Sequence, residues 1–433
     1  MVTGNEYIFE DINEALKYVL DLEQKALASD AKRRNSPIVM RPMQEMFSIP
    51  CNNNLARKCI IPVDSLDYPF TAWFNNASED MFVMTRLISG RYSLKPNLNR
   101  RKYLFRGESE FHPSCKPNLF RNHKKKRFTK EMMMGQEMEL LMMSHPLVQL
   151  LDIGVVLNGV FCRFEMNLFG LTQHYYNKSS FLDLTSDPMV AAFFATTKYN
   201  EDTDTYLPIE EKDSKVGILY NYDLNIVQDF GMRNNGVRSP LSTIGLQVFP
   251  RSGSQKGFLY DMHIGENFND VAQVQAVRFY QRNDISERIW HTFHEGKDLF
   301  PDDVLSKHWL RNDKDSDVIS RRTIIMNKKH NPKMSMAEVE AEANSLGLET
   351  EDYIPKFTDE ELDEYYAQIK SDKYWQAFCK QIHIPGDKDG RMMYDLMNLP
   401  NNPKYQWAFE RDDSHIIDYD NGYVLKMYKE CLE

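Results

Sequence analysis

The chain has 433 residues, 42% hydrophobic and 12% aromatic against 27% charged, which is core-forming material and excludes disordered and collagen-like classes. Fifty-three Lys and Arg against 63 Asp and Glu leave a net charge of −10, which repels a phosphate backbone overall, so any nucleic-acid contact has to be local. No stretch approaches the roughly 18 apolar residues of a membrane helix and the acidic start lacks a signal-peptide pattern, while Cys51, Cys59, Cys115, Cys162, Cys379 and Cys431 show no paired spacing. These features predict a cytoplasmic chain of about two or three domains, with no membrane partner.

From Glu10 to Arg34 the spacing of Ile12, Leu16, Val19 and Leu20 predicts an amphipathic helix. Residues 35–62, with Pro37, Pro42, Pro50 and Asn52–Asn54, read as loop with short elements, and Ser78–Leu87 reads as a second helix ending near Gly90. Tyr103–Gly107 is a short apolar run that delivers an arginine and then a glycine, the pattern of a buried strand leading to a functional turn or of a strand whose arginine pairs with a carboxylate. The methionine-rich Thr129–Leu151 predicts a buried helix interrupted at His145-Pro146, its methionines serving as core.

Phe181–Thr185 predicts a strand; Ser186-Asp187-Pro188 is a cap and first-turn signal for an apolar helix over Met189–Ala195. Asn200–Lys215 reads as a charged loop, and Val216–Tyr220, Gly245–Phe249 and Gly257–Tyr260 as strands. Ile285–Phe293 predicts a helix, and Leu299-Phe300-Pro301 opens an element ending near Leu310. Residues 311–364 are charged enough to suit solvated helices and linkers, while Tyr365, Tyr374, Trp375, Trp407 and Phe409 make the remainder a small helical domain or a packed extension. The whole predicts an α+β fold, a mixed β-sheet core with packed helices, divided into a helical lead-in over 1–100, an α/β core over 101–310 and a helical, aromatic C-terminal extension over 311–433.

Five pieces of the chain carry a resemblance. Tyr103-Leu104-Phe105-Arg106-Gly107, Gln173-His174-Tyr175, Leu182–Thr185 with Pro188 and Ala191–Ala195, Gln255-Lys256-Gly257-Phe258 and Leu299-Phe300-Pro301-Asp302 stand in the order of the FRG domain, a bacterial and phage family named for its Phe-Arg-Gly motif. The chain resembles that family over about 101–310. It departs from the family's pattern at Tyr176–Ser180, where Ser180 stands in place of a second arginine.

A more distant resemblance links Arg106, the Leu184-Thr185-Ser186 strand with its Ala191–Ala195 helix, and Gln255 to the ADP-ribosyltransferase order of motifs. It implies an ADP-ribosyltransferase or NAD glycohydrolase of a bacterial or phage stress or defence system. NAD would be its substrate, with no bound cofactor or metal, and a protein or nucleic acid its acceptor. Arg106 and Gln255 would act in catalysis, while Arg106, His174, Asp183, Thr185 and Ser186 bind the substrate. An arginine offers a fixed fork of donors for phosphate or ribose oxygens, and small helix residues allow close packing beside a ligand. Gln255 cannot supply a carboxylate, so its amide can only position. The alternative is a non-catalytic nucleotide- or partner-binding regulatory module on the same fold.

Asp183 is either the charge partner of Arg106 in a cleft or half of a structural pair, and His174 either a site residue or a core histidine. Arg121–Arg127 is a local basic run, either a receptor for a phosphate-bearing ligand or a solvated loop. His291, His294 and Glu295 fit no zinc motif.

Overall fold

A computed structural model describes residues 7–34, 63–64 and 77–411, apart from 88, 99–100, 122–124, 176–177, 201–202, 211–214, 225–240, 313–316 and 371. Residues 35–62, expected as loop, and Asn122–Lys124 of the basic run lie outside the described residues. The chain forms two compact units, each assembled from three separate stretches: 1–81, 95–121 and 180–301 in the first, and 82–94, 122–179 and 302–433 in the second. The segments 101–310 and 1–100 therefore each contribute to both units.

The first unit is built on a mixed seven-stranded sheet. Its strands are β1 (Ile8–Phe9), β2 (Tyr103–Glu108), β3 (Phe181–Thr185), β4 (Val216–Asp223), β5 (Leu241–Thr243), β6 (Gly257–Asp261) and β7 (Val274–Tyr280). They lie in the order β1-β7-β4-β2-β3-β6-β5, with β1 parallel to β7 and every other pair antiparallel. The longer helices of the unit are α1 (Ile12–Arg34), α2 (Pro188–Thr196) and α3 (Asn283–Thr292). α2 is apolar and mostly buried, with Met189 exposed, and it starts as the sequence predicts, with Asp187 accepting from the Met189 N–H and Pro188 in the first turn.

Side chains alternate across β2. Phe105 and Gly107 face α2, while Leu104, Arg106 and Glu108 face the other side of the sheet. α1 fixes where β2 begins: the buried Glu23 accepts the Lys102 and Tyr103 N–H groups at 2.7 and 3.1 Å and holds Arg101 at 3.0 Å.

In the second unit the strand Phe82–Leu87 pairs in parallel with Ile382–His383. The helix expected over Ser78–Leu87 is thus a strand from Phe82 onward, because Val83 and Thr85 are β-branched and ladder partners come both from the strand beginning at Tyr92 and from Ile382–His383, about 300 residues away. The methionine-rich stretch forms helices Lys125–Met143 and Pro146–Ile153, parted where predicted, and Met133, Met138 and Met142 are buried. Residues 311–364 are less solvated than their charge suggests. Ile319, Ile324, Val339, Ala343 and Leu348 close on Met133 as a small core of their own, the charged residues occupying the outer faces of short helices.

Two further expectations change. Gly245–Phe249 is not a strand: Gly245 turns the chain at φ +66°, and its N–H and that of Ile244 both reach the Gly257 carbonyl. Thr205–Pro208, within the stretch expected as a charged loop, pairs with Thr197–Asn200 just before it, with Tyr199 and Tyr206 in contact across the hairpin. Among the described residues no helix is long and apolar enough to cross a membrane.

Candidate functional site

β2 and β3 meet at a single residue pair, Phe105 with Thr185, whereas β2 follows β4 along its whole length and β3 follows β6. The sheet is therefore split between its β1-β7-β4-β2 half and its β3-β6-β5 half. Arg106 spans the split. Its Nη1 donates to the Asp183 carbonyl at 2.9 Å, and its Nε and Nη2 donate to Glu108 Oε1 at 3.1 and 2.7 Å.

The carboxylate that hydrogen-bonds Arg106 is Glu108, two residues along the same strand; Asp183, whose side chain is exposed, makes its contact through its main-chain oxygen and contributes only a more distant charge. The side chains of Arg106 and Glu108 are only 15% and 10% exposed, so the pair sits in a poorly hydrated place. Burial alone would favour neutral forms, but the pair's own attraction outweighs it: Glu108 is held below the usual carboxylate range by Arg106, with Arg121 adding to the effect, and Arg106 is raised by Glu108. Both are charged at neutral pH. Glu108 Oε2 is buried and meets no hydrogen-bond partner among the described residues, although Oε1 takes two bonds from Arg106.

The segment after β2 folds back over this pair. Cys115 Sγ points at Glu108 Oε1, 3.5 Å away. Burial, with the nearby Glu108 charge adding, pushes the thiol up to about 11. Cys115 is therefore a weak donor and not a nucleophile, and we expect its alkylation at about pH 8 to be at least ~100-fold slower in the folded chain than after unfolding, as followed by mass spectrometry.

The other predicted residues hold chain to chain. Thr185 Oγ1 donates to the Gln255 carbonyl at 2.7 Å and accepts from the Asp187 N–H at 3.0 Å. Ser186 is buried, its N–H reaching the Lys256 carbonyl at 3.3 Å. Gln255 is also buried and spends its amide on the Leu299 carbonyl at 3.0 Å, which joins two of the motifs of the family pattern. Ser180, at the position of the family's second arginine, donates to Asp261 Oδ1 at 3.0 Å and so ties the start of β3 to the end of β6. His174 lies buried in a 3₁₀ turn, Thr172–Tyr175, of the second unit, where the neighbouring Tyr175 hydroxyl donates to Asp303 Oδ2 at 2.7 Å. His294 pairs with Asp298 at 2.7 Å on the surface.

The structure thus brings Arg106, Asp183, Thr185, Ser186 and Gln255 onto adjoining strands and their connections within one unit. Glu108 is the residue that sequence reasoning passed over. Its signal was available, because on a strand the residue two places after Arg106 shares its face.

Among known proteins, no curated protein and no solved structure matches the chain. The family model for the FRG domain matches residues 101–204, which take in β2, β3 and α2 but end before Gln255 and Leu299. The stretch 101–204, with Arg106 and Glu108 on its first strand and the split of the sheet between β2 and β3, is an FRG domain.

Proposed function

We propose that the FRG domain handles NAD at the split between β2 and β3, as an ADP-ribosyltransferase or NAD glycohydrolase in which Glu108 supplies the carboxylate that Gln255 cannot. The observation that carries this reading is the anionic, nine-tenths buried Glu108, oriented by Arg106 through one oxygen while the other, also buried, meets no donor among the described residues. A ribose hydroxyl is such a donor. The bond from C1′ to the nicotinamide nitrogen would break with its electron pair leaving on nicotinamide, the fixed carboxylate stabilising the cation at C1′. A water, or a hydroxyl or amine of a protein or nucleic-acid acceptor, would then bond to C1′ and release its proton. The order of Arg106 and the Leu184-Thr185-Ser186 strand with its helix, shared with ADP-ribosyltransferases, supports NAD as the substrate, while Glu108 lies on the first strand and not at the place of Gln255.

Release of labelled nicotinamide from NAD, with and without cell extract, tests it. Glu108→Gln keeps the shape and removes the charge, so release should fall about 100-fold or more while NAD binding changes within about tenfold. Equal release by Glu108→Gln and wild type would sink the assignment.

A second reading, a binding module without turnover, is favoured by one observation: the Gln255 amide and three of the Arg106 N–H groups are already engaged within the chain. Saturable NAD binding with no nicotinamide release by wild type would decide for it.

A further inference from the structure

We propose that Asn269 is a positioning residue that keeps the Tyr220 hydroxyl turned away from Glu108, so that Glu108 Oε2 stays open for a hydrogen-bond donor of the ligand. This rests on the ligand reading of Glu108 given above. On the β2/β4 ladder Tyr220 lies opposite Arg106, and Ile218 opposite Glu108. Tyr220 is therefore the diagonal neighbour of Glu108 on the same sheet face, a relation that long aromatic side chains bridge. The tyrosine is wholly buried, and a buried phenol takes an acceptor where one is offered.

Besides the weakly accepting Cys115 sulfur, two oxygen acceptors compete for it. A bond to an ionised carboxylate is the stronger, yet the hydroxyl donates to Asn269 Oδ1 at 2.9 Å. Asn269 wins because its orientation is locked. Its Nδ2 donates to the His112 and Pro113 carbonyls at 3.0 and 3.1 Å, and a flipped amide would turn its oxygen onto those two acceptors. Asn267 holds the same segment, its Oδ1 accepting from the Cys115 N–H at 2.9 Å and from the Asn269 N–H at 3.2 Å. The Phe268 ring packs edge-on against Tyr220 at 5.5 Å. Burial, helped by Cys115 and Glu108, pushes the phenol's ionisation far upward, so it remains a neutral donor throughout the working range.

The test compares wild type, Asn269→Ala, Tyr220→Phe and the double variant in the full chain, with NAD as the probe in titration calorimetry. Without Asn269 the phenol turns to Oε2 and competes with the ligand. NAD binding should weaken about 10-fold in Asn269→Ala, stay within about twofold in Tyr220→Phe, and return to within about threefold of wild type in the double variant. A double variant as weak as Asn269→Ala overturns the proposal, because a residue that merely staples the 112–115 segment is not rescued by loss of a hydroxyl.

Titration of the Glu108 carboxyl by isotope-edited NMR gives a second readout that needs no ligand. It should move to lower pH in Asn269→Ala, since a donor now meets the charged form, and return in the double variant. An unmoved titration in Asn269→Ala overturns the proposal whether or not NAD binds. A moved titration in a protein that binds no NAD overturns the ligand reading alone. Should Asn269→Ala not fold, Tyr220→Phe decides: its Glu108 titration should match wild type, and a rise would mean that the hydroxyl already serves Oε2.

Discussion

Gly107→Ala is expected to prevent the first unit from closing. A Cβ at this position would stand 1.8 Å from the Ala191 carbonyl oxygen, 2.7 Å from the Ala195 nitrogen and 2.8 Å from the Ala195 Cβ. The first two are main-chain atoms of α2, so no side chain can rotate out of the way. Relief requires moving the helix off the sheet, and the helix is held by its cap at Asp187 and by the aromatic packing of Phe193 against Phe293 and Tyr206. Ordinary overpacking costs about 1–3 kcal/mol, and a clash with backbone on this scale should exceed ~4 kcal/mol. Urea denaturation and near-UV circular dichroism of the full chain would show it, and a variant within about 1 kcal/mol of wild type would mean that β2 and α2 are not packed as described. The glycine of the Phe-Arg-Gly run is thus needed for close approach of strand and helix, with no appeal to a special backbone angle.

Arg106→Ala should have the second largest effect, with a distinctive pH dependence. Removing the guanidinium leaves Glu108 charged, buried and without its partner, a change that typically costs about 3–5 kcal/mol. The side chains are 15% and 10% exposed, which argues for the lower end, about 3 kcal/mol, or a fall in Tm of roughly 6–12 °C for a unit of this size.

In wild type the Glu108 pKa is depressed in the folded state, so its contribution is complete above the unfolded carboxylate value of about 4.3 and is lost as pH falls through the folded value. In Arg106→Ala the main cause of depression is gone and burial raises the pKa instead. That variant should recover stability as pH falls through the raised value, so the gap to wild type narrows in acid. Denaturation curves at about pH 4, 6 and 8 would measure this, and a gap independent of pH would show that Arg106 stabilises by packing alone.

Much of the core was legible because its signals are local. Asp187-Pro188 before an apolar run reads as a capped helix start from three residues, and Phe181–Thr185, Val216–Tyr220 and Gly257–Tyr260 are strands by residue type and length alone. Ser78–Leu87 misled because its apolar spacing suits a helix, while Phe82–Leu87 is a strand paired with the strand beginning at Tyr92 and with Ile382–His383. Gly245–Phe249 misled in the opposite sense: its residues suit a strand, but a glycine at positive φ bends the chain out of the ladder. At the site, Arg106 was marked by its place in the Phe-Arg-Gly run. Its partner was open between carboxylates, and Asp183, aligned with a family motif, drew attention from Glu108, which belongs to no motif. Gln255 stands where a catalytic residue would by order of motifs, yet its amide reaches the Leu299 carbonyl, a contact between segments 44 residues apart.

By itself the sequence determined the α+β class, the capped apolar helix, the buried methionine helices and the FRG motif order, since each depends on residues within a turn or a strand of one another. Tertiary structure alone decided how separate stretches interleave into two units, that the sheet splits between β2 and β3, which carboxylate Arg106 takes and which oxygen of Glu108 takes the bonds from Arg106. These depend on strand order and on competition among donors and acceptors brought together from distant segments. The free energy of such a buried pair is set by the desolvation and geometry that only the assembled sheet provides.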